Sequence, residues 1–195
     1  VDKEVIFNTF ADFKNYPHIL PNNILSVTNT TEKQSVYDIS LTEMGLTTAL
    51  KVEHTIEPYD KQVIKVINGD ALGTKIIQTF ESYDDKTKIS IDIDLKTRGI
   101  LAPFSYLPII NANHAMDSII QSFVEYSTRP YTLNEKIIDD LYREILLRPV
   151  DSQALITYST LLEEEKITIE EIRNELLNSE EYQINILKTN LQNIS

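Results

Sequence analysis

Histidine is the side chain in this sequence best suited to acid–base chemistry near neutral pH, and the chain has three. His54 is the strongest candidate because it falls on the apolar face of a predicted strand, where burial could tune a general base. Tyr37 faces the same way on another predicted strand and could act with it. The alternative is that His54 is a hydrogen-bonded core residue. We expect His18, beside Pro17 in a turn, to be exposed.

Other patterns of catalytic or metal-binding side chains are missing from the sequence. Asp92 and Asp94 form a carboxylate pair, but the alternation of their strand sends both to solvent. The chain has no cysteine, which excludes disulfides, thiolate zinc sites and cysteine nucleophiles. It has no H-E-x-x-H spacing, nucleophile elbow, phosphate-binding glycine loop or dinucleotide fingerprint. We therefore expect no metal and no cofactor, and a binding protein rather than an enzyme.

The net charge of the chain restricts its partners. The 195 residues include 18 Lys and Arg against 30 Asp and Glu, a formal charge of −12. Nucleic acids and anionic bilayer surfaces would repel such a chain, so we expect neither as a partner. No apolar run approaches the roughly 20 residues that span a bilayer. We expect a soluble, cytoplasmic protein without stable membrane insertion, although a removed leader before Val1 stays open.

The spacing of apolar residues divides the chain near Pro130. Over about 35–96 apolar and polar residues alternate, which predicts strands, and from Tyr131 onward apolar residues recur three and four apart, which predicts helices. We predict two domains, 1–130 and 131–195, the first of α+β class. In the first, a short helix precedes predicted strands at 24–30, 34–42, 47–57, 62–68, 74–83 and 87–97, and a long helix over 109–126 follows them.

One face of the predicted sheet is almost wholly apolar. The polar residues on this face are His54 and Tyr37. Gln78 joins them if the predicted strand 74–83 turns the Gln78 side toward the interior. Such a face can be filled by the protein's own side chains or by an apolar ligand. The apolar segment 99–108 either covers a cavity mouth as a lid or plugs the core. The side chains that we expect to contact a ligand are Tyr37, Ile39, Leu41, Leu50, Val52, His54, Ile89, Ile91, Ile93, Phe104, Tyr106, Met116, Ile119 and Phe123.

The segment from Val5 to Pro21 is a predicted helix that leads into a D-x-x-x-Y-P-x-x-x-P turn, starting at Asp12. With the six strands and the closing helix, it resembles the START-like, or SRPBCC, superfamily, which includes polyketide cyclases and coenzyme Q-binding carriers. The resemblance covers about 1–127. It implies a helix-grip fold, in which a curved antiparallel sheet surrounds a long C-terminal helix and encloses a cavity. That family begins with a strand, whereas this chain begins at the first helix.

Three functions stay open for the first domain. We favour the non-catalytic binding or transport of a hydrophobic small molecule, such as a lipid, a quinone or a polyketide-like compound. The second is a polyketide cyclase-like, lyase-like or dehydratase-like enzyme that uses the same cavity, with His54 and Tyr37 as its catalytic residues. The third is a non-catalytic adaptor whose core is filled by its own side chains.

Residues 131–195 predict a small all-α domain of four helices. Capping boxes at Thr132 and Thr168 mark two helix starts, and Asp151 caps another. The string L-Y-x-x-I-L-x-R-x-x-D ending at Asp151, followed by N-S-x-E-Y at 178–182, resembles a helical domain of unknown function from bacterial surface and glycan-related proteins. That domain is itself similar to phycobilisome linker domains. The resemblance implies an interaction module with a protein or glycan partner.

Two arginines of this helical domain have alternative interpretations. Arg143 and Arg148 could bind a carboxylate or a sugar, but we favour salt bridges to the nearby Glu144 and Asp151. The sequence departs from the family pattern at Leu147, where glycine is usual, and again at Ala154.

Overall fold

The computed structural model describes residues 1–29, 35–43, 46–106 and 109–192, without the side chains of 43, 103–106, 109–115 and 188–192. The chain forms two compact units, Val1–Pro130 and Tyr131–Ser195.

The first unit combines short helices, an antiparallel sheet and a long helix. Its sheet has six strands in the order β1-β2-β3-β4-β5-β6, each antiparallel to its neighbours. This confirms the predicted α+β class and the six strands, with small differences at their ends. The elements are α1 Lys3–Ala11, a 3₁₀ turn Phe13–Asn15, α2 Tyr16–Ile19, β1 Ile24–Asn29, β2 Val36–Glu43, β3 Leu46–Glu57, β4 Lys61–Asn68, β5 Lys75–Tyr83, β6 Lys86–Asp94, a 3₁₀ helix Gly99–Tyr106 and α3 Ile109–Thr128.

Two aspartates fix the path of the chain through its first helices. Asp2 caps α1 by accepting a hydrogen bond from the backbone N–H of Glu4 at 2.8 Å. Asp12 ends α1 and accepts from the backbone N–H of Lys14 at 3.2 Å, which starts the 3₁₀ turn. The hydroxyl of Tyr16 then donates to the carbonyl oxygen of Phe10 at 2.7 Å. These bonds fix the turn that connects α1 to α2.

His18 is buried, so the expectation that it is exposed was wrong. Only 9% of its surface is accessible, and the other residues of α2 are buried as well. The proline at the start of α2 suits the first turn of a helix, where its missing N–H is not needed. A helix of one turn with no exposed side chain is packed as core rather than as a surface turn.

The strand register brings together the residues of the apolar face. Tyr37 lies opposite Val52, and His54 lies opposite Ile64. Further along the sheet, Gln78 pairs with Ile91 on β6. Because side chains on paired positions share one face, the polar and apolar residues predicted for this face do lie together on it.

The second unit is helical throughout the part that the structure describes. Both predicted capping boxes, at Thr132 and Thr168, are present, and Asp151 accepts from the backbone N–H of Ala154 at 2.9 Å. Ile138 and Ile172 are the most deeply buried side chains of its core. The helices are α4 Leu133–Leu146, α5 Ser152–Glu163, α6 Ile169–Leu177 and α7 Glu180–Gln192.

Within the described ranges, no helix is both long and apolar enough to cross a membrane.

Candidate functional site

An aromatic cluster packs the first helices onto one end of the sheet. Phe7 and Phe10 meet the edge of Phe80 on β5, with ring centroids 5.2 and 5.5 Å apart. Phe10 also stacks on Phe123 of α3 at 4.1 Å. The end of the sheet is the one that carries the turn between β3 and β4, since Phe7 contacts Tyr59 of that turn at 5.6 Å. The buried phenylalanines therefore fill the space between helices and sheet at this end.

A chain of hydrogen bonds crosses the apolar face from β3 to β5. His54 Nε2 lies 2.7 Å from Gln62 Oε1, and Gln62 Nε2 donates to Gln78 Oε1. All three side chains are buried, and Gln62 has no accessible surface. Because the carbonyl oxygen of Gln62 can only accept, His54 donates from Nε2, and neutral His54 has Nδ1 as an acceptor. We call this set the His–Gln–Gln chain.

Burial favours the neutral form of His54. Desolvation lowers the pKa of His54 below its ordinary value of 6.5, and the hydrogen bond to Gln62 opposes this only in part. The ring of Phe13 stacks on the imidazole at 4.5 Å with an angle of 15° between the planes. The sequence-based alternative, a hydrogen-bonded core histidine, therefore describes its surroundings well.

Tyr37 lies close to His54 but is not bonded to it. Their ring centroids are 6.3 Å apart, and Phe13 contacts Tyr37 at 4.8 Å. Burial raises the pKa of the Tyr37 hydroxyl, and the carboxylate of Asp12 raises it further. The structure therefore brings the two catalytic candidates to one region, without a hydrogen bond between them in the part of the chain that it describes.

The side chains predicted to contact a ligand differ widely in burial. Ile93 is the most exposed of those described, with 43% of its surface accessible, and Phe104 and Tyr106 lie outside the described side chains. The buried ones are Ile39, Leu50, Val52, His54 and Phe123. The partly buried ones are Tyr37, Leu41, Ile89, Ile91, Met116 and Ile119.

The segment predicted as a lid or plug is a 3₁₀ helix over Gly99–Tyr106, and residues 107–108 lie outside the described structure. The carboxylate of Asp70 accepts from the backbone N–H of Ile100 at 3.2 Å. Gly99 has φ of +54°, and a Cβ there would lie 2.4 Å from the same carboxylate. Leu101 is buried whereas Ile100 is largely exposed. This contact ties the start of the segment to the turn after β4.

Gln62 is the residue of this region that the sequence reasoning missed. It belongs to the same alternating set as Ile64 and Val66, so its inward position follows from the period of β4. A polar residue in such a set indicates a buried hydrogen-bonding group. Its two partners, however, depend on the strand register.

The structure shows the exposure of the carboxylates and the ion-pair partners of the arginines that were named from the sequence. Asp92 and Asp94 are exposed, as expected. The predicted partner of Arg143 was wrong, because Arg143 pairs with Asp139, one helical turn earlier, at 2.8 Å. Glu144 pairs with Arg173 of α6 instead, also at 2.8 Å.

Arg148 joins the two ends of the helical sequence motif. Its guanidinium binds both carboxylate oxygens of Glu181, at 2.6 and 2.9 Å, and lies over the ring of Tyr142 at 5.1 Å. The predicted partner Asp151 is also within 3.7 Å. Arg148 is therefore engaged within its own unit rather than directed at a ligand. Among the described residues, no group of His, Cys, Asp or Glu could hold a metal ion.

Comparisons with known proteins bear on the fold. No protein-family model matches the chain, and no curated protein matches it significantly. A START superfamily protein from Mycobacterium smegmatis is 13% identical, with a TM-score of 0.55 over 66% of this chain and 91% of that one. The protein TTHA0849 from Thermus thermophilus is 10% identical, with a TM-score of 0.57 over 68% of this chain and 93% of that one. The α+β part of this chain thus has the fold of START superfamily proteins.

Proposed function

We propose that the first unit binds a hydrophobic small molecule between its sheet and α3, and that it does so without catalysis. The observation that supports this most is that the apolar face of α3 continues beyond the aromatic cluster. Ile119 and Met116 precede Phe123 by four and seven residues, which places them on the same side of the helix. Phe123 is buried in the cluster, whereas Ile119 and Met116 keep accessible surface.

The sheet has a matching uncovered region. On β6, Ile91 is half-buried and Ile93 is exposed, although both belong to the face that the aromatic cluster covers at its other end. Apolar surface left open on both the helix and the sheet is what a site for an apolar ligand requires. A core filled by its own side chains would account for the cluster but not for these residues.

A cyclase-like or lyase-like reaction has less support. His54 has Nε2 bonded to Gln62 and one ring face covered by Phe13. Among the described residues it has no carboxylate or hydroxyl within hydrogen-bonding distance to act as a second catalytic group. His54 and Tyr37 therefore serve, in this proposal, as part of the wall of the site.

For residues 131–195 we propose an interaction module with a protein or glycan partner, as the sequence resemblance implies. Direct sugar binding by Arg143 or Arg148 is not part of this proposal, because both guanidinium groups are paired with carboxylates of the same unit.

Overfilling the site tests the ligand-binding proposal. Met116→Trp places a large ring where Met116 now has free surface, and we expect it to abolish saturable binding of the neutral fluorescent probe N-phenyl-1-naphthylamine. Ser118→Trp introduces the same ring on the exposed side of α3 and should bind the probe like the wild type. Circular dichroism establishes that both variants are folded. Unchanged binding by folded Met116→Trp, or no binding by the wild type, would refute the proposal.

A further inference from the structure

We propose that the bound molecule carries a hydrogen-bond acceptor of the carbonyl type, to which the side-chain amide nitrogen of Gln78 donates. This inference rests on the proposed function and adds the chemical class of the ligand. It comes from the direction of the hydrogen bonds in the His–Gln–Gln chain.

Each amide in the chain has a defined role. Gln62 uses its oxygen for His54 and its nitrogen for Gln78, so Gln78 must present its oxygen to Gln62. The nitrogen of Gln78, with two N–H donors, is left at the end of the chain. It has no hydrogen-bond partner within the described part of the protein. Gln78 itself is only 7% exposed.

The free nitrogen of Gln78 borders accessible space. Among the described residues, Thr97 Oγ1 is the one fully buried side-chain polar atom without a partner. In that part of the chain the amide nitrogen of Gln78 lacks a partner too but is not such an atom, so it is not fully enclosed. An acceptor on a ligand in that space could therefore receive a hydrogen bond from this nitrogen.

The position of Gln78 favours it over the other end of the chain. His54 Nδ1 is an acceptor at that end, but its ring is covered by Phe13 inside the aromatic cluster. Gln78 is paired in register with Ile91, next to the uncovered region of β6. The remaining neighbours on this face, Phe80 and Ile76, are apolar. The expected ligand is therefore a largely apolar, neutral molecule with one acceptor group.

Fluorene and 9-fluorenone form a probe pair that isolates the acceptor, because they differ only by a carbonyl in place of a methylene. We expect the fluorenone-to-fluorene affinity ratio to be about tenfold larger for the wild type than for Gln78→Met, about 1.4 kcal/mol. The control Gln121→Met, on the exposed side of α3, should keep the wild-type ratio. Equal ratios in wild type and Gln78→Met would overturn the inference while leaving apolar binding intact. Binding of neither probe would overturn the proposed function as well.

A measurement on the wild type covers the case in which Gln78→Met does not fold. The infrared carbonyl stretch of fluorenone moves to lower frequency when the oxygen accepts a hydrogen bond. We expect this shift in the bound state. A bound carbonyl at the frequency found in a hydrocarbon solvent would overturn the inference.

Discussion

His54 is held in one orientation by two kinds of contact. Stacking on Phe13 fixes the plane of its ring, and the hydrogen bond to Gln62 fixes its rotation in that plane. Burial favours the neutral imidazole because it penalises the charged form, and the hydrogen bond to Gln62 opposes this only in part. The protonation state of this residue is therefore coupled to folding, and the coupling has a defined sign.

We expect acid to destabilise the fold through His54. Burial lowers its pKa below 6.5 in the folded protein, so the unfolded chain takes up this proton first as the pH falls. Stability is therefore lost as the pH falls below 6.5, until the folded pKa is passed. His54→Gln can still donate to Gln62 but does not titrate. The free energy of unfolding of this variant minus that of the wild type should therefore be larger at about pH 5.5 than at about pH 7.5.

Urea unfolding followed by circular dichroism at the two pH values gives this difference directly. Carboxylates that protonate in both proteins cancel in the comparison. A difference between the variant and the wild type that is the same at both pH values would contradict the burial of a neutral His54.

The sequence correctly predicted the face of the sheet on which His54 lies, but it did not predict the hydrogen-bond partners of His54. Alternation along β3 identified His54 as inward, and the structure places it there. Alternation cannot say which residues of neighbouring strands stand beside it, because that depends on register, which the turns and the packing determine together. The bonds to Gln62 and on to Gln78 were therefore not foreseen.

The strands themselves were predictable because each has a local period-two pattern between turn residues. The exceptions lie at an edge. Ile93 and Leu95 continue the apolar alternation of β6 but are exposed, and β6 ends at Asp94. Which inward positions of an edge strand stay uncovered depends on the packing of the whole sheet, so the sequence of one strand does not reveal it. The burial of His18 was missed because it depends on the packing of α2 against β1 and α3, which the sequence of α2 does not show.

The end of α4 has a backbone conformation that its residue does not favour. Leu147 has φ of 58° and ψ of 30°, in the left-handed region. This conformation costs about 1–2 kcal/mol for a residue with a Cβ. Its side chain is 72% exposed and contributes little in return.

Leu147→Gly should therefore stabilise the helical unit by about 0.5–1 kcal/mol, after the larger freedom of glycine in the unfolded chain is subtracted. Leu147→Ala keeps the strained backbone and should change stability by less than about 0.5 kcal/mol. Urea unfolding monitored at the helical signal compares the two variants. A destabilised glycine variant would show that the leucine side chain contributes more than the strain costs.

The whole molecule combines a START-like α+β unit with a helical unit, and the ligand proposal concerns the first of these. The composition correctly indicated a folded chain. Neither the composition nor an apolar face identifies a ligand, because such a face limits the size of a bound molecule but not its identity. In the helical unit, Arg143 and Arg148 are both paired with carboxylates of the same unit. Arg148 and Glu181 lie far apart in sequence and hold its ends together.

Native mass spectrometry of the full chain tests the central claim, the binding of an apolar molecule, most directly. The protein is measured as purified and after incubation with an excess of N-phenyl-1-naphthylamine, and then again under denaturing conditions. We predict a one-to-one complex with a small molecule under native conditions, which is lost on denaturation. A bare chain in both native samples would contradict the claim.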